Sequence, residues 1–177
     1  MSDDVHEIVS TGLTECLARL WRYGFVLSGS RDTAEDLVQA TCARALESSH
    51  QFQPGSHIDR WLFTILSSIW KNELRTRKIR QGEGFVDAED VLATDGASEI
   101  ETNILAREVL REVQLLPEVQ RVTVFLVYAE GLSYKEAAEA LDVPVGTIMS
   151  RLAAARAKLG QLNEDSARDR KDTGRSR

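Results

Sequence analysis

The sequence predicts an all-α protein of two small helical domains joined by a flexible acidic linker, the second domain carrying a helix-turn-helix. Three observations predict it. Apolar residues recur at steps of three and four through most of the chain, and alternating strand patterns are scarce. The stretch "QGEGFVDAEDVLATDGAS" breaks that periodicity with glycines and acids. The stretch "LSYKEAAEALDVPVGTIMSRLAAARAKL", residues 132–159, reads as two Ala-rich helices with Asp-Val-Pro-Val-Gly between them.

Taken in order, helices are expected near residues 5–28, 32–49, 58–80, 99–115, 118–130, 133–141 and 145–161. The first three form an N-terminal domain over 5–80, and residues 81–98 form the linker. Ser98 with Glu101 makes a capping box where a C-terminal domain over 99–162 begins. Pro117 separates "LREVQLL" from "EVQRVTVFLVYAEGL". Ser133 with Glu136 makes a second capping box, and Pro144 suits a first-turn position because its missing N–H would be orphaned there anyway. The tail 163–177, "NEDSARDRKDTGRSR", mixes charges with almost no apolar residue and is expected to be disordered.

At 177 residues the chain suits one medium domain or two small ones. No run of 18 apolar residues exists, so membrane insertion is not expected, and the acidic start "MSDDVHEIVS" has no apolar signal core. A cytoplasmic protein is the reading. Cys16 and Cys42 are isolated and read as free thiols; His6, His50 and His57 make no ligand cluster with them, so no metal is expected. There is no Gly-rich phosphate loop, no GxSxG and no catalytic constellation, which argues against an enzyme and against a cofactor.

The net charge of −6 is distributed in blocks. Lys71, Arg75, Arg77, Lys78 and Arg80 face Glu73 alone in residues 61–80, whereas residues 81–101 carry Glu83, Asp87, Glu89, Asp90, Asp95, Glu99 and Glu101 and no base. Screening confines such fields to roughly 10 Å, so a local basic face matters more than the acidic sum.

Three surfaces stand out. In "SRDTAEDLVQATCARALES", Ala34, Leu37, Val38, Thr41 and Ala45 line one side, leaving Asp36, Gln39, Ala43 and Glu47 outward, either as a solvated face or as a docking face for a basic partner. In "HQFQPGSHIDRWLFTILSSIWKNELRTRKIR", a Pro54-Gly55 loop leads to a helix where Lys71, Arg75 and Lys78 form a basic stripe beside Phe52, Trp61, Phe63 and Trp70. Aromatics that stack on unpaired bases beside cations that track phosphates are what single-strand binders use, although each tryptophan alone is more often core. In the last helix Val145, Ile148, Leu152, Ala155 and Leu159 make one apolar stripe, and Thr147, Ser150, Ala153, Ala154 and Ala157 an opposite face of short side chains flanked by Arg151, Lys158 and Arg156. That geometry suits a DNA major groove; an ordinary amphipathic hairpin is the alternative.

"AEDLVQATCARA", "WLFTILSSIWKNELRTRK", "LLPEVQRVTVFLVYAEGLS" and the helix-turn-helix stretch, in this order and spacing, resemble bacterial RNA polymerase sigma factors of the extracytoplasmic-function (ECF) group over about residues 10–162. The resemblance implies a sigma factor that binds core RNA polymerase and directs initiation at promoter DNA, with an anti-sigma protein as a further partner. It puts core docking on Asp36, Gln39 and Ala43. It puts −10 recognition and melting on Phe52, His57, Trp61, Ser67, Ser68, Lys71 and Arg75. It puts −35 recognition on Lys135, Thr147, Ser150, Arg151, Arg156 and Lys158. The chain departs from the family's usual residues at Ser68, Met149 and Ala154, where Asn, a basic residue and Arg are common, so fewer cations grip the −35 element. A stand-alone helix-turn-helix regulator and a sigma-like decoy are the competing readings.

Overall fold

The structure, a computed structural model, describes residues 2–81 and 112–173, and every regular element among them is helical. The expected linker, the Ser98–Glu101 capping box and most of the helix expected over 99–115 lie outside the described residues.

Helix α1 (Ser2–Ser28) buries Val9, Leu13, Cys16, Leu20, Tyr23 and Leu27, a three-four spacing that turns one stripe to the core. Gly24 lets the next helix approach: a Cβ there would sit 3.3 Å from the Ala34 backbone. Helix α2 (Arg31–Glu47) starts where the Ser30 hydroxyl accepts the Thr33 N–H at 3.3 Å, and buries Ala34, Leu37, Thr41 and Ala45 against α1. Thr41 is tolerated in that core because its hydroxyl donates to the Leu37 carbonyl at 2.7 Å.

A short 3-10 turn (Ser49–Gln51) and a turn through Pro54-Gly55 lead to α3 (Ile58–Gln81). Gly55 takes φ 90°, and the Ser56 N–H donates to the Gln53 carbonyl at 3.0 Å, as a Pro-Gly turn requires. Helix α3 buries Leu62, Phe63, Leu66, Ser67 and Trp70.

In the second domain α4 (Glu118–Val124) continues into a π-helical turn over Phe125–Ala129, closed by the Glu130 N–H on the Phe125 carbonyl at 3.0 Å. The uniform helix expected over 118–130 therefore ends in a wider, π-helical turn. Helix α5 (Tyr134–Leu141) begins with the Ser133–Glu136 capping box, both halves formed, and ends at Asp142 in the left-handed region with φ 51°. Asp is among the few side chains that adopt this conformation readily, and it turns the chain into Pro144 and α6 (Val145–Thr173).

Two expectations are corrected here. Helix α6 runs to Thr173, through most of the tail expected to be disordered; once a helix is nucleated each further residue costs little, and no proline follows Pro144. Val145, assigned to the buried stripe, is 38% exposed, whereas Ile148, Leu152 and Ala155 are buried. Its position in the first turn puts it beyond the end of the surface that those residues pack on.

The two domains share a continuous core. The buried Tyr23 ring lies edge-on to Phe63 at 5.2 Å between centroids and stacks on Phe125 of the second domain at 5.9 Å. Its hydroxyl bonds to the Ser67 hydroxyl at 2.7 Å, and burial pushes its pKa far up.

Candidate nucleic-acid and polymerase interface

The α2 face is built by the burial of its opposite side. With Ala34, Leu37, Thr41 and Ala45 inward, Asp36, Gln39 and Ala43 stand exposed together, as helical spacing demands.

The expected −10 surface is divided by depth. Phe52 is 4% exposed and its ring lies 5.4 Å from that of Trp61 at a tilt of 52°. Ser67 is 3% exposed, with its hydroxyl engaged by Tyr23 and by the Phe63 carbonyl at 2.7 Å. In this arrangement these two residues form the floor beneath the surface. Trp61 is half-buried, and His57, Ser68, Lys71 and Arg75 are exposed. Trp70 belongs to the core, its indole N–H donating to the Glu118 carboxylate at 2.9 Å, with Arg77 over its ring. The side chain of Lys78, third in the basic stripe, lies outside those described.

Cross-domain polar contacts meet this surface. Lys71 donates to the Leu141 carbonyl at the end of α5 and lies 3.7 Å from the Asp142 carboxylate. Arg60 pairs with Glu136 at 2.5 Å. Arg19 joins Glu130 at 2.6 Å and Asp59 at 3.0 Å, and the Glu130 side chain is only 4% exposed. Arg121 donates to the Val26 carbonyl at 2.9 Å, and burial lowers its pKa. Sequence reasoning missed Arg19, Arg60, Glu130 and Arg121, because pairing between distant segments leaves no local period.

The expected −35 surface is open by contrast. Ser150, Ala153, Ala154, Arg156, Ala157 and Lys158 are exposed on α6, with Thr147 and Arg151 half-buried beside them. Arg151 has its pKa lowered by burial. The Ser150 hydroxyl donates back to the Thr147 carbonyl at 2.9 Å. Lys135 on α5 is exposed, 4.0 Å from Glu139. Among the described residues no cluster of His, Cys, Asp or Glu could hold a metal ion, and no helix is long and apolar enough to cross a membrane. Cys16 and Cys42 are free thiols whose pKa values burial raises.

Against known proteins, residues 13–79 match the family described as Sigma-70 region 2, and residues 106–159 match Sigma-70, region 4. The ECF RNA polymerase sigma factor EcfG of Rhodopseudomonas palustris is 42% identical over 142 residues, covering 79% of this chain and 76% of that protein. The ECF RNA polymerase sigma factor SigE of Mycolicibacterium smegmatis is 33% identical over 144 residues, 80% of this chain and 56% of that protein. Among solved structures, the sigma factor RpoE of Bartonella quintana, in complex with the anti-sigma factor NepR, aligns with TM-score 0.68 and 29% identity over 88% of this chain and 96% of that one. Two sigma regions in order, on a frame whose described elements are all helical, leave one conclusion: the chain belongs to the ECF RNA polymerase sigma factors, which initiate transcription with core RNA polymerase at promoter DNA.

Proposed function

We propose that the described surfaces divide the work of a sigma factor among them. Asp36, Gln39 and Ala43 on α2 dock on core polymerase. His57, Trp61, Ser68, Lys71 and Arg75 grip the melted −10 strand over the floor made by Phe52 and Ser67. Lys135, Thr147, Ser150, Arg151, Arg156 and Lys158 set α6 in the −35 major groove. The observation that carries this reading is α6 itself: its apolar side closes the second domain while its short-side-chain face, with cations on both flanks, stands in solvent.

The protein acts by binding rather than catalysis, in the cytoplasm with the polymerase, and a separate anti-sigma protein controls it. The likeness to RpoE solved with NepR supports that control. DNA rises about 3.4 Å per base pair, so elements about 25 base pairs apart lie roughly 85 Å apart on a straight duplex. A compact chain of this length has a radius of gyration of only about 16 Å. The domains therefore separate when both elements are read, and Lys71 leaves Leu141 and Asp142 for the DNA strand.

The test is run-off transcription with purified core polymerase on a randomised promoter library, using wild type and the double variant Asp36→Lys, Gln39→Lys. Loss of core binding and transcription is expected, with stability changed by less than about 0.5 kcal/mol, as for surface substitutions. A variant that melts far below wild type would make the two residues structural and refute the docking assignment.

A further inference from the structure

The first two turns of α6 carry an unusual surface for a helix proposed to enter a groove of DNA. Val145 is 38% exposed and Met149 54% exposed, while Ile148 and Leu152 on the same helix are 0% exposed. Positions i and i+4 adjoin on a helix surface, so Val145 and Met149 form one apolar patch. The ground beside it is open: a Cβ built on Gly146 meets nothing within 4 Å. On its other side Val145 borders a shallow groove lined by Lys135, Glu139 and Asp142, and the Ser150 hydroxyl, one position past Met149, is turned back onto the Thr147 carbonyl at 2.9 Å. The cation on this flank, Arg156, lies nearly two turns further along the helix.

Base pairs in the major groove differ in what they ask of a side chain. Guanine offers two acceptors that suit Arg or Lys, and adenine suits Asn or Gln; thymine offers a methyl group that suits an apolar contact. The leading turns of a recognition helix are those that meet base edges. We infer that Val145 and Met149 are a specificity-determining pair that reads thymine 5-methyl groups in the −35 element. The inference rests on the −35 assignment of α6 above. Met149 is unbranched and adapts its shape to the methyl it covers, while Val145, stiff at the start of the helix, fixes one wall.

The experiment uses the full chain with core polymerase on the −35 sequence that it selects from a randomised library. Each thymine of that element, on either strand, is replaced singly by deoxyuridine, which removes only the methyl group, and holoenzyme affinity is measured. Wild type is expected to lose about four-fold at one or two thymines, the worth of one buried methyl. Met149→Ala is expected to bind less tightly and to become indifferent to deoxyuridine at a position where wild type is sensitive, whereas Met149→Leu keeps the sensitivity. Circular dichroism confirms that both variants fold.

A selected element without thymine, or wild-type affinity unchanged by every deoxyuridine, would overturn the inference while leaving the −35 assignment standing. So would a Met149→Ala protein as sensitive as wild type. Equal affinity of wild type for intact and scrambled −35 elements would overturn the assignment itself, and with it the inference. If Met149→Ala weakens only anti-sigma binding, the patch is a protein-docking face and the inference is refuted.

Discussion

Lys71 on α3 and Arg156 on α6 are both cations assigned to DNA, yet their situations are opposite. Lys71 is engaged by the end of α5, through the Leu141 carbonyl and the Asp142 carboxylate. Arg156 stands exposed on α6, and no ion pair or hydrogen bond joins it to the first domain among the described residues. The same contrast holds more widely: Arg60 and Trp70 on α3 meet Glu136 and Glu118, while the contacts of α6 are made by its buried side. In this closed arrangement the second domain covers part of the surface proposed to grip the melted strand, while the α6 face proposed to read duplex DNA is exposed among the described residues. Recognition of duplex DNA and capture of a melted strand thus need not become available together.

The largest expected effect comes from breaking the closed arrangement at its most buried charge. Glu130 is paired with Arg19 at 2.6 Å and lies 4.0 Å from Arg22, and leaving such a buried charge without a partner costs about 3–5 kcal/mol when it cannot reach water. Domain separation gives Glu130 that escape. The double variant Arg19→Ala, Arg22→Ala is therefore expected to raise the radius of gyration of the free protein in small-angle scattering while each domain stays helical. An unchanged radius with a lowered melting temperature would mean that the pair merely supports the fold, and the contrast between the two surfaces would lose its regulatory meaning.

A second substitution sharpens the open side of the comparison. Arg151→Ala is expected to reduce discrimination between intact and scrambled −35 elements by about 1–3 kcal/mol, the worth of a base contact. Lys158→Ala, on the same flank, is expected to weaken all sequences alike and to flatten the salt dependence, as loss of a phosphate contact does. Competition binding of the holoenzyme at two salt concentrations separates these outcomes.

The smallest effect falls on Glu136, which belongs to both sides: it caps α5 and pairs with Arg60 on α3. Ser133→Ala is expected to cost about 1 kcal/mol in a thermal melt, as loss of an N-cap does. The Ser133 backbone N–H, more than any other group, holds the Glu136 carboxyl below its ordinary value, with the Ser133 hydroxyl and Arg60 adding to it. A depressed folded pKa gives stability that is present above the ordinary value of 4.5 and lost as the pH falls through the folded value. Glu136→Gln should remove that part of the acid limb of the stability curve; an unaltered acid limb would show that neither the Ser133 cap nor Arg60 holds the carboxylate in solution.

The helices, the α2 outward face and the turn before α6 were legible because each is written in local spacing: Ser133 with Glu136, Pro144 one residue before Val145, and the buried stripe Ala34, Leu37, Thr41, Ala45. The closed arrangement was not, since Arg19 and Glu130 are 111 residues apart and each alone reads as a solvated charge. The depth of Phe52 and Ser67 was not legible for a related reason. Their residue types suit both contact and core, and only the packing of Trp61 and Tyr23 on them decides. Val145 follows the apolar period but lies past the end of its partner surface, which no period reports.

The π-helical turn at Phe125–Ala129 has a consequence for how such a chain can change over generations. A wide turn takes up one residue more than an α-turn over nearly the same advance, so a single gained or lost residue can be absorbed there. Losing one residue from this turn would restore an ordinary ladder and leave Glu130 and the elements after it close to where they stand. A lineage could gain or lose a single codon here and keep the contact between Glu130 and Arg19.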